Sequence, residues 1–345
     1  MEMGEDVVGA AGFAEQDVVV TMSISFAKIE LSAGLRNILR STHSAVVVSE
    51  AEFVDRLYDP GLQSKEFKVQ LRGGEIAMNV RRGTQPSLVV AFQGAVDQAK
   101  WKMPSYVGFV TAGSVRGSQL MIADPSLERS PALATSWYLG HSGFDLPKLL
   151  PPLLDNIVSA LGASRTVFLG YSAGDFAALY YSWRMPGSVA VALNPQTNIA
   201  RYYRRHMEVY RGVCWPDLTS VESLFSTVEG DLTTLYSKGF SNTVIYLQNS
   251  MDLFHLKEHF APFLTSIGKN LDRLITKVDF WGGFGHASIP KNEWIRWIAA
   301  SLVAPTTSIN DILVEYQREM EVRSTSGEIS RGVDFEIAKR LSSSG

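Results

Sequence analysis

Thr166-Val-Phe-Leu-Gly170-Tyr171-Ser172-Ala173-Gly174-Asp175-Phe-Ala-Ala-Leu-Tyr-Tyr181 is the stretch on which the reading turns. A short apolar run precedes the pattern Gly-x-Ser-x-Gly, and a helix-forming run follows it. The pentapeptide alone arises by chance in about one chain of this length in ten, so its setting decides. Strand, tight turn and helix in that order lift the Ser172 hydroxyl above the end of a sheet. The helix N-terminus behind it favours developing negative charge. The two glycines answer a steric need, because a side chain there would meet the adjoining strand or helix. The competing reading is a strand–helix turn with a capping serine.

A serine hydroxyl is a weak nucleophile at neutral pH and needs a base held by a third group. There are six histidines. His43 falls in a stretch of uncertain structure, His141 in a loop before the nucleophile, and His206 in a basic, aromatic run. His255 and His259 stand four apart on a predicted helix. His286 alone follows the last predicted strand, in the glycine-rich Trp281-Gly-Gly-Phe-Gly-His-Ala-Ser-Ile-Pro290, and is the expected base. The acid is expected between serine and histidine in chain order, past a strand end. Val244-Ile-Tyr-Leu-Gln-Asn-Ser-Met-Asp252 supplies Asp252, for which a helix N-cap is the alternative role. No strand delivers Asp217 or Asp231, and Asp279 lies within a strand. The expected oxyanion donors are the N–H of Ala173 and that of Gly94 or Ala95, in the loop after the strand Ser87–Phe92. Tyr171, Gln196 and His255 are expected to face substrate. Asp252, His255 and His259 share one helix face, but Asp252 has the better use in the triad, so no metal is expected.

Outward from this centre the pattern is strands alternating with helices. Residues 46–58 read as a strand then a helix, and Phe67–Leu71 with Ile76–Val80 as a hairpin. Strands follow at 87–92, 105–111, 118–123, 166–169, 188–193, 243–247 and 274–280. Helices fall at 147–161, from the elbow through Tyr181, at 291–302 and at 308–323. Residues 17–30 alternate like a further strand. The expected architecture is α/β: a mostly parallel, doubly wound sheet with helices on both faces and a cap-like insertion at 198–240. The expected divisions are an N-terminal extension over 1–65, a core over 66–302, and a helix with a polar tail over 303–345. Arg201-Tyr-Tyr-Arg-Arg-His206 mixes cations with aromatics, either for an anionic or sugar-like substrate or as a solvated helix face.

Composition narrows the function. The 345 residues are 46% hydrophobic and 19% charged, enough for a large core. Net charge is −3, without the basic excess that nucleic-acid binding requires. Cys214 is the single cysteine, so neither an intramolecular disulfide nor a multi-cysteine metal site can form. The acidic start Met-Glu-Met-Gly-Glu-Asp is unlike a signal peptide, and no apolar run approaches the length of a membrane span. The expectation is a cytoplasmic protein with no integral membrane segment and no cofactor.

By these residues the chain resembles the α/β-hydrolase superfamily over about 66–302. The resemblance implies Ser172 as nucleophile, His286 as base, Asp252 as acid and an oxyanion hole near 94–95 and 173. Four segments, Phe92-Gln-Gly-Ala, Ala123-Asp-Pro-Ser-Leu, Trp137-Tyr-Leu-Gly and Leu247-Gln-Asn with Asp252 and His255, also look like hydrolase-like accessory proteins of bacterial capsule and surface-glycan synthesis, some of which are O-acetyl transferases or esterases. Asp175 departs from the pattern, where a small residue is common, and is expected to alter the site entrance. Three functions follow as expectations: an esterase acting on a small-molecule or glycan ester, an O-acyltransferase with the same triad, or a non-catalytic accessory protein.

Overall fold

The computed structural model describes residues 45–106, 115–268 and 270–325. The strand expected at 17–30, most of that at 105–111, and the tail beyond 325 lie outside them.

β4 (Gln85–Phe92) shows why the chain layers as it does. Leu88, Val89 and Val90 have no exposed surface, and they alternate between two hydrophobic clusters on opposite sides of the sheet. A strand that is apolar on both faces is stable only when both are covered. β6 (Arg165–Leu169), β7 (Val189–Leu193) and β8 (Thr243–Asn249) repeat the pattern. β1 (Val46–Ser49), β2 (Ser64–Leu71), β3 (Gly74–Arg81), β5 (Gly117–Ile122) and β9 (Leu274–Asp279) complete a nine-stranded sheet of order β1-β2-β3-β5-β4-β6-β7-β8-β9. Only β3 runs against the rest, paired antiparallel with β2 and β5. The β2–β3 hairpin turns through Gly73, whose φ of 95° suits glycine.

One face is covered by α1 (Glu50–Leu57), α2 (Leu146–Ala160) and α3 (Ala173–Trp183). Ser49 starts α1 by accepting a hydrogen bond from the Glu52 N–H. The other face lies under α9 (Lys291–Val303) and α10 (Ile309–Thr325). Ile312 is fully buried, and the Trp297 and Tyr316 rings stack 3.7 Å apart. Between β7 and β8 lie a 3-10 turn at Ile199–Arg201 and three helices, α4 (Arg204–Cys214), α5 (Val221–Phe225) and α6 (Leu232–Ser237). A bridge between Asn198 and Asp231 ties this insertion at its base. After β8 come α7 (Leu253–His255), a π-helical turn and α8 (Ala261–Ile267).

This is an α/β-hydrolase fold. The sheet starts earlier than residue 66: β1 pairs in parallel with β2 and forms its edge, so Val46–Ser49 of the expected N-terminal extension belong to the sheet. Chain order places β5 on one side of β4 and β6 on the other. That switch point opens a crevice at the C-terminal ends of the strands.

Candidate active site

Five neighbouring strand ends deliver the expected residues to one edge. Gly94 and Ala95 follow β4, Ser172 follows β6, Gln196 follows β7, Asp252 follows β8 and His286 follows β9. Ser172 sits at φ 56°, ψ −109°, between strand and helix, and is 5% exposed. A Cβ on Gly170 would overlap the backbone of Gly174 and Asp175, and one on Gly174 would lie 2.5 Å from the carbonyl oxygens of Phe92 and Gln93. The strain of the serine is held by its neighbours: its N–H donates to the Leu193 carbonyl (3.2 Å), and its carbonyl accepts from Asp175 and Gln196. All four non-glycine residues with positive φ among the described residues, Trp137, Tyr138, Ser172 and Asn194, belong to this region.

Asp252 makes one hydrogen bond with each oxygen. Oδ1 accepts from the His255 N–H (3.1 Å) as the cap of α7, and Oδ2 lies 2.7 Å from His286 Nδ1. His255 Nδ1 is 2.9 Å from the same Oδ2 without the geometry of a hydrogen bond, and its ring stacks on His286 with centroids 4.2 Å apart. Burial works against the charge on Asp252, yet the contacts with His255 and His286 outweigh it and hold the carboxyl below the usual carboxylate range. Burial pushes the His255 pKa down. It also lowers that of His259, there to about 3. The His286 side chain is 33% exposed, against 3% for Asp252.

The loop that carries His286 is fixed by two asparagines that sequence reasoning missed. Asn194 Nδ2 donates to the Ala287 carbonyl (2.9 Å), and its Oδ1 accepts from the Asn249 N–H (2.7 Å). Asn249 Nδ2 donates to the carbonyls of Gly283 and Gly285, both at 2.9 Å. The available signal was an Asn directly after β7 and another ending β8, a residue type that tolerates left-handed backbone and bonds nearby main chain.

Ala173 heads α3, where the first N–H groups have no partner inside the helix. After β4 the Gln93 N–H is taken by the Tyr138 hydroxyl (2.8 Å), leaving Gly94 and Ala95 as the loop donors to consider. Gly94 packs so closely that a Cβ would lie 2.7 Å from the Tyr171 carbonyl. Tyr171 flanks His286, with the two rings 5.5 Å apart. Gln196 is fully buried; its Nε2 donates to Ser172 Oγ (3.1 Å) and its Oε1 accepts from Trp137 Nε1 (2.6 Å). Asp175 does not shape the entrance. It is fully buried behind the elbow, with Oδ2 accepting from the Leu193 N–H (2.8 Å), and burial pushes its pKa well up. In the 201–206 run, Arg201 pairs with Glu258 and Arg204 with Glu208 and Glu222, the solvated arrangement. Tyr202 instead turns inward beside Trp137, His255 and His259.

Ligand atoms of Asp252, His255 and His286 lie within 4.8 Å of one another. A metal bound at an imidazole nitrogen lies in the plane of that ring. The two rings here stack with planes only 19° apart, so both Nδ1 atoms can meet one ion only if a ring turns. His259, the third member of the expected helix face, instead takes a hydrogen bond from the Thr197 N–H (3.3 Å).

No protein-family model matches the chain, and a search of curated proteins finds no match. Among solved structures it is similar to a capsule O-acetyltransferase of Neisseria meningitidis serogroup A, at 14% identity over 77% of this chain and 97% of that one, TM-score 0.47. It is also similar to an arylesterase (11% identity, 78% and 90% of the two chains, TM-score 0.46). A carboxyl esterase of the fungus Tuber melanosporum is a third (13% identity, 76% and 87%, TM-score 0.42). No helix among the described residues is long and apolar enough to cross a membrane.

Proposed function

We propose that the protein is a serine hydrolase that cleaves a carboxylic ester through an acyl-enzyme on Ser172. The observation that carries this reading is the 2.7 Å contact between Asp252 Oδ2 and His286 Nδ1, made across 34 residues at the edge where the strained serine stands. An ionised Asp252 accepts from Nδ1–H, which leaves the Nε2 lone pair as the base. Ser172 Oγ attacks the ester carbonyl while its proton passes to His286 Nε2. The N–H groups of Ala173 and of Gly94 or Ala95 receive the oxyanion. His286 returns the proton to the departing alcohol, then takes one from water as water attacks the acyl-enzyme. The acid leaves, and the proton returns to Oγ.

The substrate is an organic ester of a small molecule or glycan. Leu253 and Phe284, 70% and 81% exposed, directly follow Asp252 and closely precede His286, and they give the site an apolar rim. Residues 198–240 act as a cap, with Tyr202 turned toward the site.

The test is labelling by a fluorophosphonate probe, comparing wild type with Ser172→Ala and His286→Ala, followed by a p-nitrophenyl ester panel with and without an acceptor sugar. Labelling lost in both folded variants, with a loss of about 10³-fold or more in kcat, supports the reading. Product formed only with acceptor makes the protein a transferase. A folded wild type that neither labels nor turns over overturns it in favour of a non-catalytic partner-binding protein.

A further inference from the structure

We propose that Gln196 is a catalytic residue that donates a hydrogen bond to Ser172 Oγ, and that Trp137 is a positioning residue that fixes which end of the Gln196 amide faces the serine. The inference deepens the proposed function and rests on Ser172 as nucleophile.

A glutamine amide has a donor end and an acceptor end of nearly the same shape, and its surroundings select one orientation. Indole Nε1–H can only donate. Its 2.6 Å contact with Gln196 therefore demands the carbonyl oxygen there and turns the NH₂ toward Ser172, 3.1 Å away. Trp137 is 1% exposed and Gln196 fully buried, so bulk water does not compete for either group.

The orientation matters because a hydroxyl has one proton to give and two lone pairs to offer. With NH₂ toward it, Ser172 uses a lone pair for Gln196 and keeps its proton for His286. With the amide reversed, Oε1 would accept the serine proton and withhold it from the base. The correct donor also stabilises negative charge as Oγ loses its proton in acylation, and again as the C–Oγ bond breaks in deacylation. No group is consumed, since the Gln196 hydrogens stay on nitrogen throughout.

Trp137 reaches Gln196 through left-handed backbone, at φ 53°, followed by Tyr138 at 57°. Such a conformation persists where surroundings over-determine it. Here the Asp124 carboxylate accepts from the Tyr138 N–H and the Ser136 hydroxyl, and the Tyr138 hydroxyl donates to the Ile122 carbonyl. The rings of Tyr202 and Tyr210 pack T-shaped against the indole.

The test compares Gln196→Ala, Gln196→Glu, Trp137→Phe and the Gln196→Ala/Trp137→Phe pair, each checked for wild-type circular dichroism. The readouts are fluorophosphonate labelling rate and ester kinetics. Expected are a kcat about 100-fold lower for Gln196→Ala with KM nearly unchanged, about tenfold lower for Trp137→Phe, and a double variant no slower than Gln196→Ala alone. Gln196→Glu, equal in size and without a donor once its carboxyl is ionised, is read at about pH 9 because burial raises a carboxyl pKa; there it is expected to be at least as slow as the alanine variant, and it decides the role of Gln196 if Trp137→Phe fails to fold. Wild-type rates in Gln196→Ala or Gln196→Glu overturn the inference while labelling of the wild type leaves the hydrolase reading standing. Fully additive losses in the double variant overturn the role of Trp137. A wild type that does not label overturns both.

Discussion

At the scale of single residues the elbow leaves almost no freedom. Gly170 lies against the backbone of Gly174 and Asp175, and Gly174 against the last carbonyls of β4. Main chain cannot move aside as a flexible side chain can. Gly170→Ala is therefore expected to cost about 3 kcal/mol or more and to abolish serine labelling, measured by urea unfolding and by probe. The same crowding explains Asp175. On sequence it reads as an intrusion at the entrance, yet the first turn of α3 points it inward, where the Leu193 N–H needs an acceptor. A helix one residue out of phase would have put it in the crevice.

Among elements, the β9–α9 connection shows how an irregular loop holds His286 in place. Residues 280–290 contain no regular structure, so their carbonyls look to other elements for partners. Asn249 at the end of β8 serves Gly283 and Gly285, and Asn194 after β7 serves Ala287. Asn249→Ala removes two of these bonds. The expected result is a loss of about 1–3 kcal/mol in stability and a fall of about tenfold in kcat with little change in KM, since His286 loses its placement while the substrate surfaces remain. Steady-state kinetics beside thermal melts check it. An unchanged kcat would mean that the Asp252 contact alone orients the imidazole.

For the whole molecule, His255 and His259 add an acid-sensitive contribution to stability. His259 has its pKa pushed down to about 3 by burial, and burial lowers that of His255 too. Their folded-state values lie below the unfolded value, so the unfolded chain binds more protons below about pH 6.5. Stability is complete above that pH and falls as pH drops toward the folded values. For His259 the loss between pH 7 and pH 5 is about 2 kcal/mol. Urea unfolding at the two pH values measures it. His259→Gln, which keeps an acceptor for the Thr197 N–H, is expected to remove about that much of the drop. An unchanged drop in the variant would place the acid sensitivity elsewhere.

Local rules make much of this protein legible in its sequence. Strand period, the glycine spacing around Ser172, the chain order of serine, acid and base, and the Gly73 hairpin all depend on steric and hydrogen-bonding needs within a few residues. Those needs carry the α/β order and bring Ser172, Asp252 and His286 forward as the candidate triad. What tertiary structure alone decided are the long-range hydrogen bonds around the site: Trp137 with Gln196 across 59 residues, Gln196 with Ser172 across 24, and Asn194 with the Ala287 carbonyl across 93. Sequence periodicity assigns a residue to a face, but which atom of a buried amide meets which neighbour depends on sheet order, register and rotamer together. Those are set only when the separate strands pack side by side.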